Sequence, residues 1–105
     1  MTFRVRLTRE AQDDLERLFE NVLERELARP GGDLEPAERA LAAIRAGVET
    51  LKTSPFTCRK AGQSPFLREL LIPFGHSGYV ALFEIVDPTD VVVSGVRHQL
   101  EGDYN

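Results

Sequence analysis

Arg97 and His98, two consecutive residues near the end of the chain, are the side chains best suited to chemistry. Histidine changes its charge near neutral pH and can act as a general acid or base, whereas arginine offers a planar, charged fork to a phosphate or carboxylate. A single histidine at a strand end is nevertheless more often a surface or interface residue. The second histidine, His76, lies in the segment Gly-His-Ser-Gly and is interpreted as a turn residue. These residues alone do not establish catalysis.

Arg68, which precedes Glu69 in a predicted strand, has two interpretations. The first is a solvent-exposed, cross-strand ion pair at a sheet face, since such pairs are common and contribute little stability. The second is an anchor for a carboxylate or phosphate group, which the arginine fork fits well. The sequence leaves both interpretations open.

Motifs for metal binding and for the common catalytic classes are absent from the sequence. Cys58, His76 and His98 match no known metal-site spacing. There is no HExxH motif, cysteine pair, GxGxxG, Walker loop or GxSxG motif. We therefore expect no metal and no cofactor.

Composition and charge restrict the class of protein. The 105 residues include 13 basic and 17 acidic side chains, a net charge of −4. Binding to a phosphate backbone normally needs the opposite sign, so we expect no direct nucleic-acid binding. The single cysteine, Cys58, excludes an internal disulfide and fits a reducing compartment. No apolar run approaches the roughly 20 residues that span a bilayer, so the sequence predicts a cytoplasmic protein with no membrane partner.

Amphipathic periodicity predicts a short strand followed by two helices. Apolar residues alternate with arginines over residues 3–7. Thr8 is the predicted N-cap of a helix that runs to about Ala28, where a segment containing Pro and two Gly ends it. Pro36 suits the first turn of a second helix, which Ser54 and Pro55 close.

Three apolar stretches, residues 66–72, 79–86 and 91–96, predict strands in the second half of the chain. The turn over residues 87–90 makes the last two a hairpin. The middle stretch is apolar on both faces, so both should be covered, one by the helices and the other by a partner. The order β-α-α-β-β-β predicts a single α+β domain over residues 1–105. A helical hairpin should pack on a small, mainly antiparallel sheet, with a polar tail from about residue 97.

The element order and four segments together resemble the RelE/ParE family of bacterial type II toxin–antitoxin toxins. The segments are residues 5–11, 67–71, 77–83 and 96–104. This resemblance covers nearly the whole chain. It implies a toxin that is neutralised by binding a cognate antitoxin.

The family divides by target, and the resemblance favours the ParE-like branch. RelE-like members cleave messenger RNA on the ribosome, whereas ParE-like members inhibit DNA gyrase. In the nucleases a key arginine follows a Gly-Tyr pair, and here that position is Val80. By analogy with an oxyanion donor, losing such a group costs about 3–4 kcal/mol of transition-state stabilisation. The resemblance thus implies a protein-binding inhibitor rather than an enzyme.

Three functions follow from this resemblance. The first is gyrase inhibition. The second is a ribosome-dependent endoribonuclease with His98 as acid–base, Arg68 or Arg97 on the phosphate and Tyr104 assisting. The third is a degenerate, non-toxic member that only binds its antitoxin. In each case we predict that the antitoxin lies along the uncovered sheet face and the helices. The predicted contact residues are Arg68, Leu82, Val92, Arg97 and His98.

Overall fold

The predicted helices and strands occur in the predicted order and form one sheet with two helices on one face. The computed structural model describes residues 2–100. Its elements are β1 (Arg4–Leu7), α1 (Arg9–Leu27), α2 (Glu35–Glu49), β2 (Arg59–Lys60), β3 (Leu67–Phe74), β4 (Ser77–Asp87) and β5 (Asp90–His98), with short 3₁₀ turns at Thr50–Lys52 and Pro55–Thr57. The prediction of an α+β fold is confirmed.

The sheet has the strand order β1-β5-β4-β3-β2 and is mixed. The strands from β2 to β5 pair antiparallel, whereas β1 lies parallel to β5 at the sheet edge. Two details differ from the sequence prediction. The two-residue β2 was not predicted, because it is too short to show periodicity. Arg97 and His98 belong to β5, so the polar tail expected from about residue 97 starts after His98.

The helix-covered face of the sheet forms the core. Alternate residues of β4 face the helices and are buried: Tyr79, Ala81, Phe83 and Ile85. Gly47 of α2 lies directly over β3, where an added Cβ would be 2.9 Å from Cγ1 of Ile72. The absence of a side chain there lets α2 approach the sheet closely. We call the opposite side of the sheet, which neither helix covers, the outer face.

Local hydrogen bonds explain where each helix begins. The hydroxyl of Thr8 accepts the backbone N–H of Ala11 at 3.1 Å, which is the predicted N-cap. Before α2, a carboxylate oxygen of Asp33 accepts the N–H of Glu35 at 2.9 Å, and Pro36 lies in the first turn. Both helix starts are therefore encoded by side chains next to them in sequence.

A buried carboxylate joins α1 to β5. Asp14 is only 4% exposed, and its Oδ2 accepts the backbone N–H of Val96 at 2.9 Å. This bond follows an irregularity in which Leu82 pairs with Gly95 but Phe83 pairs with Val93, so Ser94 is an extra residue in β5. The carboxylate of Asp14 satisfies a buried donor just beyond the bulge and fixes the helix to the strand.

Candidate functional site

The four residues that a nuclease would use do not form one cluster within the described part of the chain. Arg97 pairs with Val80 and lies on the outer face, whereas His98 pairs with Tyr79 on the helix-covered face. Arg68 pairs with Phe83, four residues along β4 from Tyr79, which is roughly 14 Å at the usual rise per residue. Tyr104 lies outside residues 2–100. Adjacent strand residues point to opposite faces, which separates Arg97 from His98.

Arg68 binds backbone carbonyl groups of the loop that precedes β3. Its Nε donates to the carbonyl of Pro65 at 2.7 Å, and its Nη1 donates to Phe56 at 3.0 Å and Cys58 at 2.6 Å. The guanidinium also lies 5.3 Å from the ring centroid of Phe56. Arg68 therefore holds residues 56–65 against the sheet.

The cross-strand ion pair considered for Arg68 is made by its neighbour Glu69, because adjacent strand residues face opposite ways and Arg68 binds backbone carbonyls. Glu69 contacts Arg59 across the β2–β3 pair, with Oε1 3.0 Å from both Nε and Nη2 of Arg59. Close to Arg68, burial raises the pKa of the Cys58 thiol, and the guanidinium of Arg68 opposes this rise. The surroundings thus favour the neutral thiol.

His98 is bound through both ring nitrogens at the end of β5. Nε2 lies 2.9 Å from Oγ of Ser77, and Nδ1 accepts the backbone N–H of Leu100 at 3.1 Å. A ring whose Nδ1 accepts must, when neutral, carry its proton on Nε2 and donate to Ser77. A base that activates the Ser77 hydroxyl would need the opposite tautomer. This geometry orients the chain after β5 rather than activating Ser77.

The outer face carries apolar side chains together with the charged side chains of Arg97 and Glu69. Leu82 and Val92, both predicted partner contacts, lie here and are half-buried, whereas Leu71 and Val86 are each 46% exposed. Arg97 lies on the same face, with Nη2 3.9 Å from Oε2 of Glu69, and Nη1 donates to the carbonyls of His98 and Gln99.

Val80, at the position of the nuclease arginine, is 1% exposed, between Leu71 and Arg97 in neighbouring strands. The outer face therefore holds a buried apolar side chain at the position for which the family resemblance implies a guanidinium in the nucleases.

A groove of about 1010 Å³ runs between β1, α1 and α2. Seven of its lining residues are apolar and the other eight are polar or charged. The apolar ones are Val5, Leu7, Leu15, Phe19, Leu41, Ile44 and Val48. β1 forms one side, and it is an edge strand that pairs only with β5 in the described sheet. The sequence predicted that a partner would contact the helices but did not predict this groove. The groove could have been predicted from the apolar stripe on α1, which is wider than the part of the helix that packs on the sheet.

Residues 2–100 contain no group of three or more His, Cys, Asp or Glu that could hold a metal ion. Within the same range, neither helix combines the length and apolar character needed to cross a bilayer.

Comparisons with known proteins agree with this architecture. The sequence profile of the ParE toxin of the type II toxin–antitoxin system parDE matches residues 5–102. Toxin RelE1 of Caulobacter vibrioides is 33% identical over 101 residues, covering 96% of this chain and 98% of that protein. A structure of the chromosomal ParDE system from P. aeruginosa superposes with a TM-score of 0.70 at 18% identity, covering 92% of this chain and 96% of that one, and shares the fold. The chain belongs to the ParE toxin family of type II toxin–antitoxin systems.

Proposed function

We propose that this chain is a cytoplasmic ParE-like toxin that inhibits DNA gyrase by protein–protein contact and is neutralised by a cognate antitoxin. The observation that carries the proposal is that residues 2–100 do not assemble a nuclease cluster. Val80 is buried at the position of the nuclease arginine, and Arg68 faces the other side of the sheet, where carbonyl groups bind it. Without guanidinium groups from these two positions on the outer face, the transition state for cleavage of a phosphate ester would lose several kcal/mol of charge stabilisation.

Membership of a type II toxin–antitoxin family implies an antitoxin partner. The groove supports a docking mode in which an antitoxin segment lies along α1 and α2 and hydrogen-bonds to the open edge of β1. Apolar walls and an unpaired strand edge are the two features that peptide-binding grooves commonly combine. The outer face, with Leu82, Val92, Leu71 and Val86, is a second apolar surface available to the same partner.

A ribosome-dependent messenger RNA endoribonuclease is the second candidate. A relative that is 33% identical is named RelE1. In addition, Arg59 and Arg97 both lie near Glu69 on the outer face, so two guanidinium groups are present there despite Val80. A nuclease built on these residues would use Arg97 on the phosphate. His98, which faces the helices, would be a poor acid–base group.

The deciding experiment induces the chain without antitoxin and measures DNA supercoiling and transcript integrity in the same culture. Gyrase inhibition predicts filamentous cells, an SOS response and intact transcripts, and purified protein should block supercoiling by gyrase in vitro. Cleaved transcripts at ribosome-bound sites with normal supercoiling would reject gyrase inhibition in favour of the nuclease. Normal growth would leave only the non-toxic, antitoxin-binding role. Arg97→Ala separates the two toxic functions further, because only the nuclease should lose toxicity.

A further inference from the structure

Three phenylalanine rings, two of them exposed and that of Phe3 half-buried, form a cluster at the end of the sheet where β3 begins. We call Phe3, Phe56 and Phe66 the aromatic patch. The ring centroid of Phe56 lies 6.5 Å from that of Phe3 and 6.4 Å from that of Phe66, and both pairs are edge-to-face. Phe56 is 50% exposed and Phe66 is 48% exposed. Contiguous exposed aromatic surface indicates an interaction site, whereas single exposed apolar residues do not.

The patch is held rigidly although it is exposed. Arg68 stacks on Phe56 and donates to its carbonyl and to that of Pro65. The carbonyl of Phe66 accepts the N–H of Ile85 at 2.8 Å, which ties this residue to β4. Binding of a partner to the patch would therefore cost little conformational entropy of the toxin, which favours affinity.

The surroundings of the patch are positively charged although the whole chain is acidic. Two cationic side chains lie on the same side of the sheet as the patch: Arg68, which stacks on Phe56, and Lys60, its register partner in β2. Lys52 and Arg59, which lie farther off, are each paired with a carboxylate. Glu49 pairs with Lys52 at 2.9 Å and Glu69 pairs with Arg59 at 3.0 Å. Lys60 is exposed, and no acidic side chain of residues 2–100 pairs with it. In a chain of net charge −4, this local excess of cations favours an acidic segment.

The aromatic patch adjoins the groove. Lys52 lines the groove, and its backbone carbonyl accepts the N–H of Phe3 at 2.7 Å. Phe3 directly precedes β1, whose open edge forms one side of the groove. A segment that extends along this edge towards the start of β1 therefore reaches the aromatic patch next.

We infer that the aromatic patch is a second part of the antitoxin-binding surface. An acidic segment of the antitoxin continues from the groove and packs at least one apolar side chain on Phe56 and Phe66. Its carboxylates face Lys60 and the guanidinium group of Arg68. This inference rests on the antitoxin binding in the proposed function and is independent of whether the toxin acts on gyrase.

The test measures the affinity of the cognate antitoxin, purified with the toxin as a complex and then separated, for toxin variants by calorimetry. Phe66→Ala should weaken binding at least tenfold, and Lys60→Glu roughly three- to tenfold with a reduced dependence on salt. Leu27→Ala, an exposed apolar side chain at the end of α1, and Arg39→Glu on α2 are the matched controls and should stay within twofold. Melting temperatures of the free variants establish that each one folds.

Affinities within twofold of wild type for both folded patch variants would overturn the inference. Loss of gyrase inhibition with unchanged antitoxin affinity would also overturn it, because the patch would then contact the target. The groove variant Phe19→Ala separates the two proposals. If it alone weakens binding, antitoxin docking in the groove stands and the aromatic patch is excluded. A wild-type protein that binds no antitoxin would refute both.

Discussion

The two faces of β4 differ in how completely the chain covers them. On the helix-covered face, all four alternating residues from Tyr79 to Ile85 are 5% exposed or less. On the outer face, exposure rises along the strand, from Val80 at 1% through half-buried Leu82 to Val86 at 46%. The first pattern is that of a complete core, and the second leaves apolar surface open to the proposed antitoxin. Stability should therefore depend on one face and binding on the other.

The largest expected effect comes from the helix-covered face. Phe83→Ala removes a fully buried ring and should lower the free energy of unfolding by about 3–5 kcal/mol. Leu82→Ala, its neighbour on the outer face, should cost less than half as much but should weaken antitoxin binding. Urea denaturation and calorimetry measure the two quantities. Equal losses of stability for both variants would contradict the division between the faces.

Asp14 provides the next largest effect, because it carries the hydrogen bond between α1 and the bulged strand. Asp14→Ala leaves the buried N–H of Val96 without its acceptor and should lower the free energy of unfolding by about 1.5–3 kcal/mol. Asp13→Ala, the exposed neighbour on α1, is the control and should change stability by less than about 0.5 kcal/mol. If the two variants unfold at the same urea concentration, the Asp14–Val96 bond contributes nothing.

The reactivity of the Cys58 thiol measures how well the loop before β3 is shielded from solvent. Burial raises the pKa of its thiol, so less thiolate is present at a given pH and iodoacetamide should react more slowly with the native protein than with the urea-unfolded chain. Because the pKa of Cys58 is higher in the folded protein than in the unfolded chain, the sign of the pH dependence follows. The contribution of the neutral thiol to stability is fully present below the pKa of the unfolded chain, and it is lost as pH rises through the pKa of the folded protein. Cys58→Ala should remove this alkaline loss, and equal alkylation rates in native and unfolded protein would argue against burial.

The smallest effect is expected at the turn between β4 and β5. The backbone N–H and hydroxyl of Thr89 both donate to Asp87 Oδ1, at 2.8 and 2.9 Å, and lower the pKa of that carboxyl. A lowered folded pKa means that stability is lost as pH falls from the ordinary aspartate range through the folded value. Asp87→Asn keeps an acceptor oxygen and should flatten this acid-side loss of melting temperature. A variant that is still as acid-sensitive as wild type would place the titration elsewhere.

The sequence predicted those features that depend on neighbouring residues. Thr8, Pro36 and the apolar periodicity located both helices, and the turn over residues 87–90 located the hairpin of β4 and β5. The parallel pairing of β1 with β5, the bulge at Ser94 and the bond from Asp14 were not predicted, because each depends on residues far apart in sequence. The role of Arg68 was missed for the same reason, since its acceptors are backbone carbonyls that carry no side-chain signal.

The parallel pairing of β1 with β5 also constrains how this toxin is made. Arg4 aligns with Asp90, so the first strand obtains its hydrogen-bonding partner only when the last strand exists. Closing such a long loop raises the contact order and slows folding. During synthesis, the N-terminal strand and both helices emerge from the ribosome before the sheet edge they need. Native toxin therefore forms only after β5 has been synthesised, and truncated products that lack β5 should be harmless to the cell that makes them.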